Sequence, residues 1–392
     1  MRLVDYYEKH KIIPVVNLKD INQKILFEQR DNFYESLNVL NIANKDILEL
    51  CPGTGVNAFY LLSQGINSIH LVDLNSNSIK QCKINLKKFK KKTKIIKDDI
   101  YKFNINKKFD IIIIENVLAG MKNPKFILKK YLKNLKKNGL IVFTVTDNYS
   151  YFSEKLRGLI SKLIIEKNDI QIKKYKEIPF EKKLLILIEL FKSHLETLGN
   201  NTRNIKKWVL DNMLQFDWWG KDSYFSLIDA LQPINFKNNG IVFWSMSPKI
   251  EKNYLWYKYR DTKSVNDSIL KNYIDNQLNF LDIRQKYDLN LLKATNTKNI
   301  KKIISKTCYL INKLSKKHSI QKKNIKEIIS MIKKLNRLLL TLDKSNLTVL
   351  SLRSLVNFLQ NYLRTDKFDV SLLRGFKSWW GHGTMQVALK KK

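Results

Sequence analysis

Four consecutive isoleucines, Ile111 to Ile114, constrain this chain more than any other feature. A β-branched run without polar alternation is comfortable only in a strand covered on both faces, and such strands belong to parallel sheets flanked by helices. The flanking sequence keeps the matching rhythm. Ile47 to Leu50 reads as a first strand, and a glycine turn at Gly53 and Gly55 opens a helix carrying Ala58, Leu61 and Leu62 that Gly65 ends. Ser68 to Val72 is a second strand, Asn75 to Phe89 a second helix, Thr93 to Lys97 a third strand and Asp110 to Ile114 a fourth. Pro124 to Lys136 follows as a helix, Asn138-Gly139 as a turn and Leu140 to Val145 as a fifth strand. Strands alternating with amphipathic helices in this way are βαβ units.

Beyond Tyr151 the pattern turns helical, from about Ser153 to Ile165 and from Phe180 to Leu198, and then passes a stretch with Trp208, Trp218 and Trp219. Gly240 to Met246 and Thr384 to Leu389 are read as sixth and seventh strands, the last lying antiparallel beside the fifth. Between them, from about Ser268 to Leu363, four helices carry apolar residues at helical spacing, as in Ile325, Ile328, Ile329, Ile332, Leu335 and Leu339. The expected fold is therefore α/β: a Rossmann-like, seven-stranded, mostly parallel sheet with helices on both faces. Helical insertions interrupt it, including a bundle in the C-terminal half. The expected segments are a core at 1–150, a helical and Trp-rich cap at 151–239, the sixth strand and linker at 240–264, the bundle at 265–375 and the closing strand at 376–392.

Composition narrows the function classes. In 392 residues, 44% are hydrophobic and 27% charged, which excludes a disordered or collagenous chain. The 72 Lys and Arg against 35 Asp and Glu leave a formal +37. Lys supplies nearly all of it, and a phosphate-reading surface would draw more on the planar Arg fork, so a Lys-coated surface competes with a nucleic-acid footprint. Cys51, Cys82 and Cys308 are too few and too scattered for a disulfide framework or a zinc cage, which suits a reducing cytoplasm. No metal site is expected. The longest apolar runs, such as Leu184 to Ile188, are far too short to span a membrane.

Chemistry concentrates in Glu49-Leu50-Cys51-Pro52-Gly53-Thr54-Gly55, where a strand ends and a helix begins. The two glycines let a ligand approach the main chain, and the helix N-terminus presents free N–H groups. Asp73 stands at the end of the second strand, followed by Leu74, where a carboxylate can accept both ribose hydroxyls. Asp99 follows the third strand and precedes Ile100, a clasp for an adenine ring. A nucleoside-containing ligand is implied.

At these residues the sequence resembles the class I S-adenosylmethionine-dependent methyltransferases, over roughly residues 30 to 160. The family's first loop reads acidic-x-Gly-x-Gly-x-Gly, matched here by Glu49, Cys51, Gly53 and Gly55, with Cys51 in the place of the first glycine and Pro52 before Gly53. The resemblance implies Asp73 as the ribose acid, Asp99 as the acid near the adenine amine, and S-adenosylmethionine as cofactor. Lys207 to Asn212 and the Trp-Gly-x-Gly ending are similar to a bacterial subgroup acting on small molecules. The cofactor carries no phosphate, and no Walker lysine follows Gly55. Glu49 is placed to offset the cofactor's positive side.

Methyl transfer to a hydroxyl gains from a base. Glu115 and Asn116 lie just past the fourth strand, beside the expected methyl group, and Asp147 and Tyr149 just past the fifth. For Asp147 a helix cap is the favoured reading. His194, in the expected cap, reads as a base or as a helix-surface residue; His70 is expected to be buried and His382 structural. Among Trp208, Trp218, Trp219, Trp244, Trp256, Trp379 and Trp380, one or two are expected near substrate.

The expected activity is methylation of an O or N atom of a small molecule, anionic or sugar-like, such as a polysaccharide precursor. A nucleic-acid methyltransferase using the basic helices stays open, although Glu115-Asn116-Val117-Leu118 lacks the Pro-Pro-aromatic motif of base-amino methylators. A nicotinamide oxidoreductase fits Gly53, Gly55, Ala58 and Asp73 formally but gives no role to Glu49 or Asp99. A non-enzymatic basic scaffold is the remaining class. The sequence gives no oligomeric state.

Overall fold

The isoleucine run lies at the centre of a seven-stranded sheet. The computed structural model describes residue 9 and residues 17–172, 179–197, 205–214, 224–235, 240–250, 261–288, 295–317 and 320–392. The strands are β1 (Asp46–Leu50), β2 (Ser68–Asp73), β3 (Thr93–Lys97), β4 (Phe109–Ile114), β5 (Leu135–Val145), β6 (Ile241–Ser247) and β7 (Met385–Lys391). Their order is β3-β2-β1-β4-β5-β7-β6. Pairs from β3 to β5 are parallel, and β7 enters antiparallel between β5 and β6. The strand order reverses between β1 and β4, which makes the carboxyl ends of those strands the place where a ligand binds in an open α/β sheet.

Ile111 and Ile113 join one core cluster with helices Gln23–Ser36, Val56–Ser63 and Ser76–Asn85. Ile112 and Ile114 are fully buried as well but belong to the opposite pleat. Helix Pro124–Leu132 packs with helix Leu227–Asn235, and Lys125 reaches Asp229 at 2.8 Å. Leu61, Leu62, Ile69, Leu71 and Val142 complete a buried interior.

By packing, the chain divides into two units, Met1–Thr146 with Phe225–Ile274 and Thr384–Lys392, and Asp147–Tyr224 with Asp275–Gly383. The division falls at 146, 224, 274 and 383, where the sequence suggested 150, 239, 264 and 375, and it joins 147–224 to 275–383. The first expected bundle helix, Thr262–Asn276, begins in the sheet unit. Its buried Asn266 accepts from Phe243 N (2.8 Å) and donates to Ile241 O (3.0 Å), using a side-chain amide to finish the outer edge of β6.

Three local expectations are corrected. Asn138-Gly139 is a left-handed kink inside β5, where Asn138 has φ 62° and the β4–β5 register shifts, because Leu135 already pairs with Phe109. The helix before it therefore ends at Leu132. The second helix ends at Asn85 and continues as a 3-10 segment from Lys87 to Lys92. Helix Gln23–Ser36, capped by Asn22, was not expected at all.

The second unit contains helices Phe152–Ile172, Phe180–Glu196, Ile205–Asn212, Thr295–Ser315, Lys322–Leu342 and Leu347–Thr365. Its centre holds a fully buried Arg157, stacked over Trp380 (3.8 Å) and paired with Glu154 (3.3 Å). Trp379 O accepts from the same guanidinium. A buried guanidinium demands this many partners, since a charge removed from water is costly unless paired and hydrogen-bonded. Gly381 passes so close to Ser150 that a Cβ would stand 2.2 Å from its carbonyl oxygen.

Candidate active site

The tips of β1, β2 and β3 gather the acids that the sequence singled out. Parallel register sets Glu49 beside Leu71 and Asp73 beside Lys97, so successive strands deliver their ends to one rim. The turn after β1 begins with Cys51 at φ 55° and continues through Gly53 at φ 58° and Gly55 at φ 77°. Its bonds are Cys51 N to Val72 O (2.7 Å) and Gly55 N to Pro52 O (3.1 Å). Thr54 is buried, and its carbonyl accepts from Asn85 (2.8 Å), which ties the turn to the second helix. Gly55 caps helix Val56–Ser63 without offering a side-chain acceptor. Its missing Cβ serves packing as well as ligand approach, for that carbon would stand 2.7 Å from Cys82 Sγ.

The electrostatics report the same gathering. The Cys51 thiol is pushed well above its ordinary value by burial, and then by the charges of Asp73, Asp99 and Glu49 together. Asp73 accepts from Asn75 N (2.8 Å) and Gly53 N (3.3 Å), bridging the two strand-end turns, and the Leu74 N–H also bonds it. Burial raises Asp73 to about 6 despite these bonds. Asp99 accepts from Tyr101 N (2.9 Å), and Ile100 beside it is buried.

Glu49 is 3% exposed, and burial raises it to about 7. Oε1 accepts from the Asn57 amide (3.0 Å), while Oε2 is buried without a partner. The Tyr34 hydroxyl in turn bonds Asn57 Oδ1 (2.9 Å). One turn earlier on the same helix, Arg30 Nη1 meets Glu115 Oε2 at 2.7 Å. Glu115 and Asn116 stand at the end of β4; Asn116 has φ 56°, and its N–H donates to Thr144, which also bonds Gln386 of β7 (2.8 Å). Arg30, Tyr34, Asn57 and Gln386 were missed in the sequence. The available signals were a polar Asn57 within the apolar run Val56 to Leu62, and an Arg on the Leu26–Tyr34 face of an amphipathic helix.

Asp147, Tyr149 and His194 belong to the other unit. Asp147 Oδ1 accepts from Tyr149 N and Ser150 N, both at 2.8 Å, as a local cap does. His194 is corrected: neither a surface nor a solvent-reachable residue, it is fully buried against Phe191, Phe376 and Arg157, and burial drives it down to about 2. His70 is half-buried on β2. Trp208, Trp379 and Trp380 pack within the helical unit, and Trp244 Nε1 donates to Asn38 O in the sheet unit. Trp218, Trp219 and Trp256 lie outside the described residues. Among the described residues, no cluster of three His, Cys, Asp or Glu suits a metal, and no helix is long and apolar enough to cross a membrane.

The family model for a methyltransferase domain matches residues 42–184, beginning just before β1. Over that stretch the chain is similar to a methyltransferase domain. The chain is also similar to several solved structures. The O-MT segment of StiE is 13% identical over 30% of this chain and 42% of that one, with a TM-score of 0.28. The N-methyltransferase NodS from Bradyrhizobium japonicum, solved with S-adenosyl-L-homocysteine, is 18% identical over 36% of this chain and 72% of that one, with a TM-score of 0.29. An S-adenosylmethionine-dependent methyltransferase from Clostridium acetobutylicum is 22% identical over 37% of this chain and 59% of that one, with a TM-score of 0.29. This chain thus spans less than half of the first of these. No curated protein matches the chain.

S-adenosylmethionine, which the resemblance of the Glu49–Gly55 segment implies, suits the residues present. A buried carboxylate oxygen lacking a donor at Glu49 is what an ammonium completes. A first helical turn without a side-chain cap suits a carboxylate. Asp73 has lone-pair capacity left for hydroxyls, because a carboxylate accepts about four hydrogen bonds.

Proposed function

We propose that this chain transfers a methyl group from S-adenosylmethionine to an oxygen or nitrogen atom of a small molecule, with a sugar or polysaccharide precursor as the acceptor class. The supporting observation is the convergence of Glu49, Asp73 and Asp99 on the Cys51 turn, beside Glu115 at the end of β4. When bound, the cofactor supplies an electrophilic methyl group on a cationic sulfur. In this reading Asp73 and Leu74 hold the ribose side, Asp99 and Ile100 the adenine side, Glu49 the ammonium and the Gly53–Gly55 turn the carboxylate. Glu115 has one oxygen committed to Arg30, which leaves Oε1 to take an acceptor's proton. Asn116, anchored through Thr144, lines the same strand end. The remaining task is alignment and exclusion of water, which accounts for most of the rate in an in-line displacement.

Calorimetry with S-adenosylmethionine and transfer of labelled methyl groups test the reading. Wild type binds the cofactor, Asp73→Ala loses affinity at least ~100-fold, and Glu115→Gln keeps affinity but turns over ~100-fold to 10,000-fold more slowly. Unchanged turnover in Glu115→Gln removes it from the mechanism. NADH binding in place of S-adenosylmethionine overturns the cofactor assignment, and labelling of RNA but not of sugar precursors overturns the acceptor class.

A further inference from the structure

Glu49 is held by a relay that reaches it from a different element. Tyr34, on helix Gln23–Ser36, is buried and bonds the Asn57 carbonyl, which turns the amide nitrogen toward Glu49 Oε1. An Asn amide can flip, and a hydroxyl on its oxygen fixes the orientation that donates to a carboxylate. The result is a carboxyl group with one oxygen committed and the other, Oε2, buried and unpartnered. Such an atom calls for a donor, and at the strand ends where a ligand binds in an open α/β sheet a ligand can supply it.

We infer that Tyr34 and Asn57 are positioning residues for cofactor capture: they hold Glu49 so that Oε2 receives the cofactor's ammonium while the carboxyl proton leaves to solvent. This rests on the methyltransferase reading above. The groups acting on Glu49 are consistent with a protonated carboxyl in the free protein. Burial dominates, and Glu115 past β4 adds like charge. Asn57 and Arg30 oppose that effect. Burial raises Tyr34, Cys51 and Cys82, and the nearness of Glu49 adds to each; Asp73 acts on Cys51 and Cys82 as well. A bound ammonium adds the one cation that tips the balance toward the carboxylate.

Calorimetric titration of the full chain with S-adenosylhomocysteine, in buffers of different ionisation enthalpy, reads the proton directly. At pH 7 the wild type releases ~0.5 proton on binding, and its affinity rises several-fold per pH unit below 7 before flattening above. Glu49→Gln binds without proton release and with a flat profile. Tyr34→Phe keeps the ring but frees the amide, so affinity at pH 7 falls ~10-fold and the midpoint of the profile moves to higher pH; a merely structural role would lower affinity equally at every pH. Binding of the wild type without proton release, or a Tyr34→Phe profile parallel to wild type, overturns the inference and leaves the methyltransferase reading intact. Absence of binding at every pH overturns both.

Discussion

Cys51 occupies a backbone conformation that glycine adopts freely and a side chain resists. Its φ of 55° is left-handed, a state costing an L-residue roughly 1 to 2 kcal/mol. The turn has the left-handed shape that the glycine of the acidic-x-Gly pattern adopts freely, with Cys51 in its place. Cys51→Gly therefore removes strain and loses some packing, and the two nearly cancel; thermal unfolding is expected within about 1 kcal/mol of wild type, with cofactor affinity retained. A loss above about 2 kcal/mol sinks this account. At the same scale, Glu49, Asp73 and Asp99 were legible because each sits at or just past the end of a recognisable strand. Arg30, Tyr34 and Asn57 were not, since their meaning depends on a helix crossing to the strand ends, and no local spacing encodes that meeting. His194 was misread for a similar reason: its burial comes from Phe376 and Arg157, far away in the chain.

Among the elements, β6 shows how an outer strand is closed. Asn266 from helix Thr262–Asn276 satisfies one N–H and one C=O of that strand, where an unguarded edge invites pairing with another chain. Asn266→Ala removes both bonds in a site 1% exposed and is expected to cost about 2 to 4 kcal/mol in chemical denaturation. Asn266→Asp, which keeps the acceptor for Phe243 but sets a carboxylate oxygen against Ile241 O in this buried site, is expected to cost at least as much; a much smaller loss argues against the edge role. The strands were readable from their apolar runs because period two and burial agree there. The interior of β5 was not, because Asn138-Gly139 carries the composition of a turn while tertiary pairing of Leu135 with Phe109 extends the strand through it. Helix Gln23–Ser36 escaped notice because only Leu26 and Tyr34 are buried along it.

For the whole molecule, buried groups of both kinds set the pH dependence. Burial raises Glu49 to about 7 and Asp73 to about 6, so these carboxyls bind protons more tightly folded than unfolded, and their contribution to stability falls as pH rises between about 4 and 7. Burial lowers His194 to about 2, so this group binds its proton more weakly folded, and its contribution rises with pH up to the ordinary histidine value. Denaturation of ligand-free wild type and Glu49→Gln at pH 5.5 and pH 8 isolates the carboxyl part: the stability of wild type relative to the variant falls from pH 5.5 to pH 8, and a rise contradicts it. The insertion of β7 between β5 and β6 has a consequence for biosynthesis. A ribosome delivers β6 well before β7, with the whole 275–383 stretch emerging in between, so a nascent chain carries one open edge on β5 and an unmated β6 until the final strand arrives. Premature termination anywhere in that interval leaves both exposed, and such fragments are candidates for chaperone capture or clumping rather than for a smaller working protein.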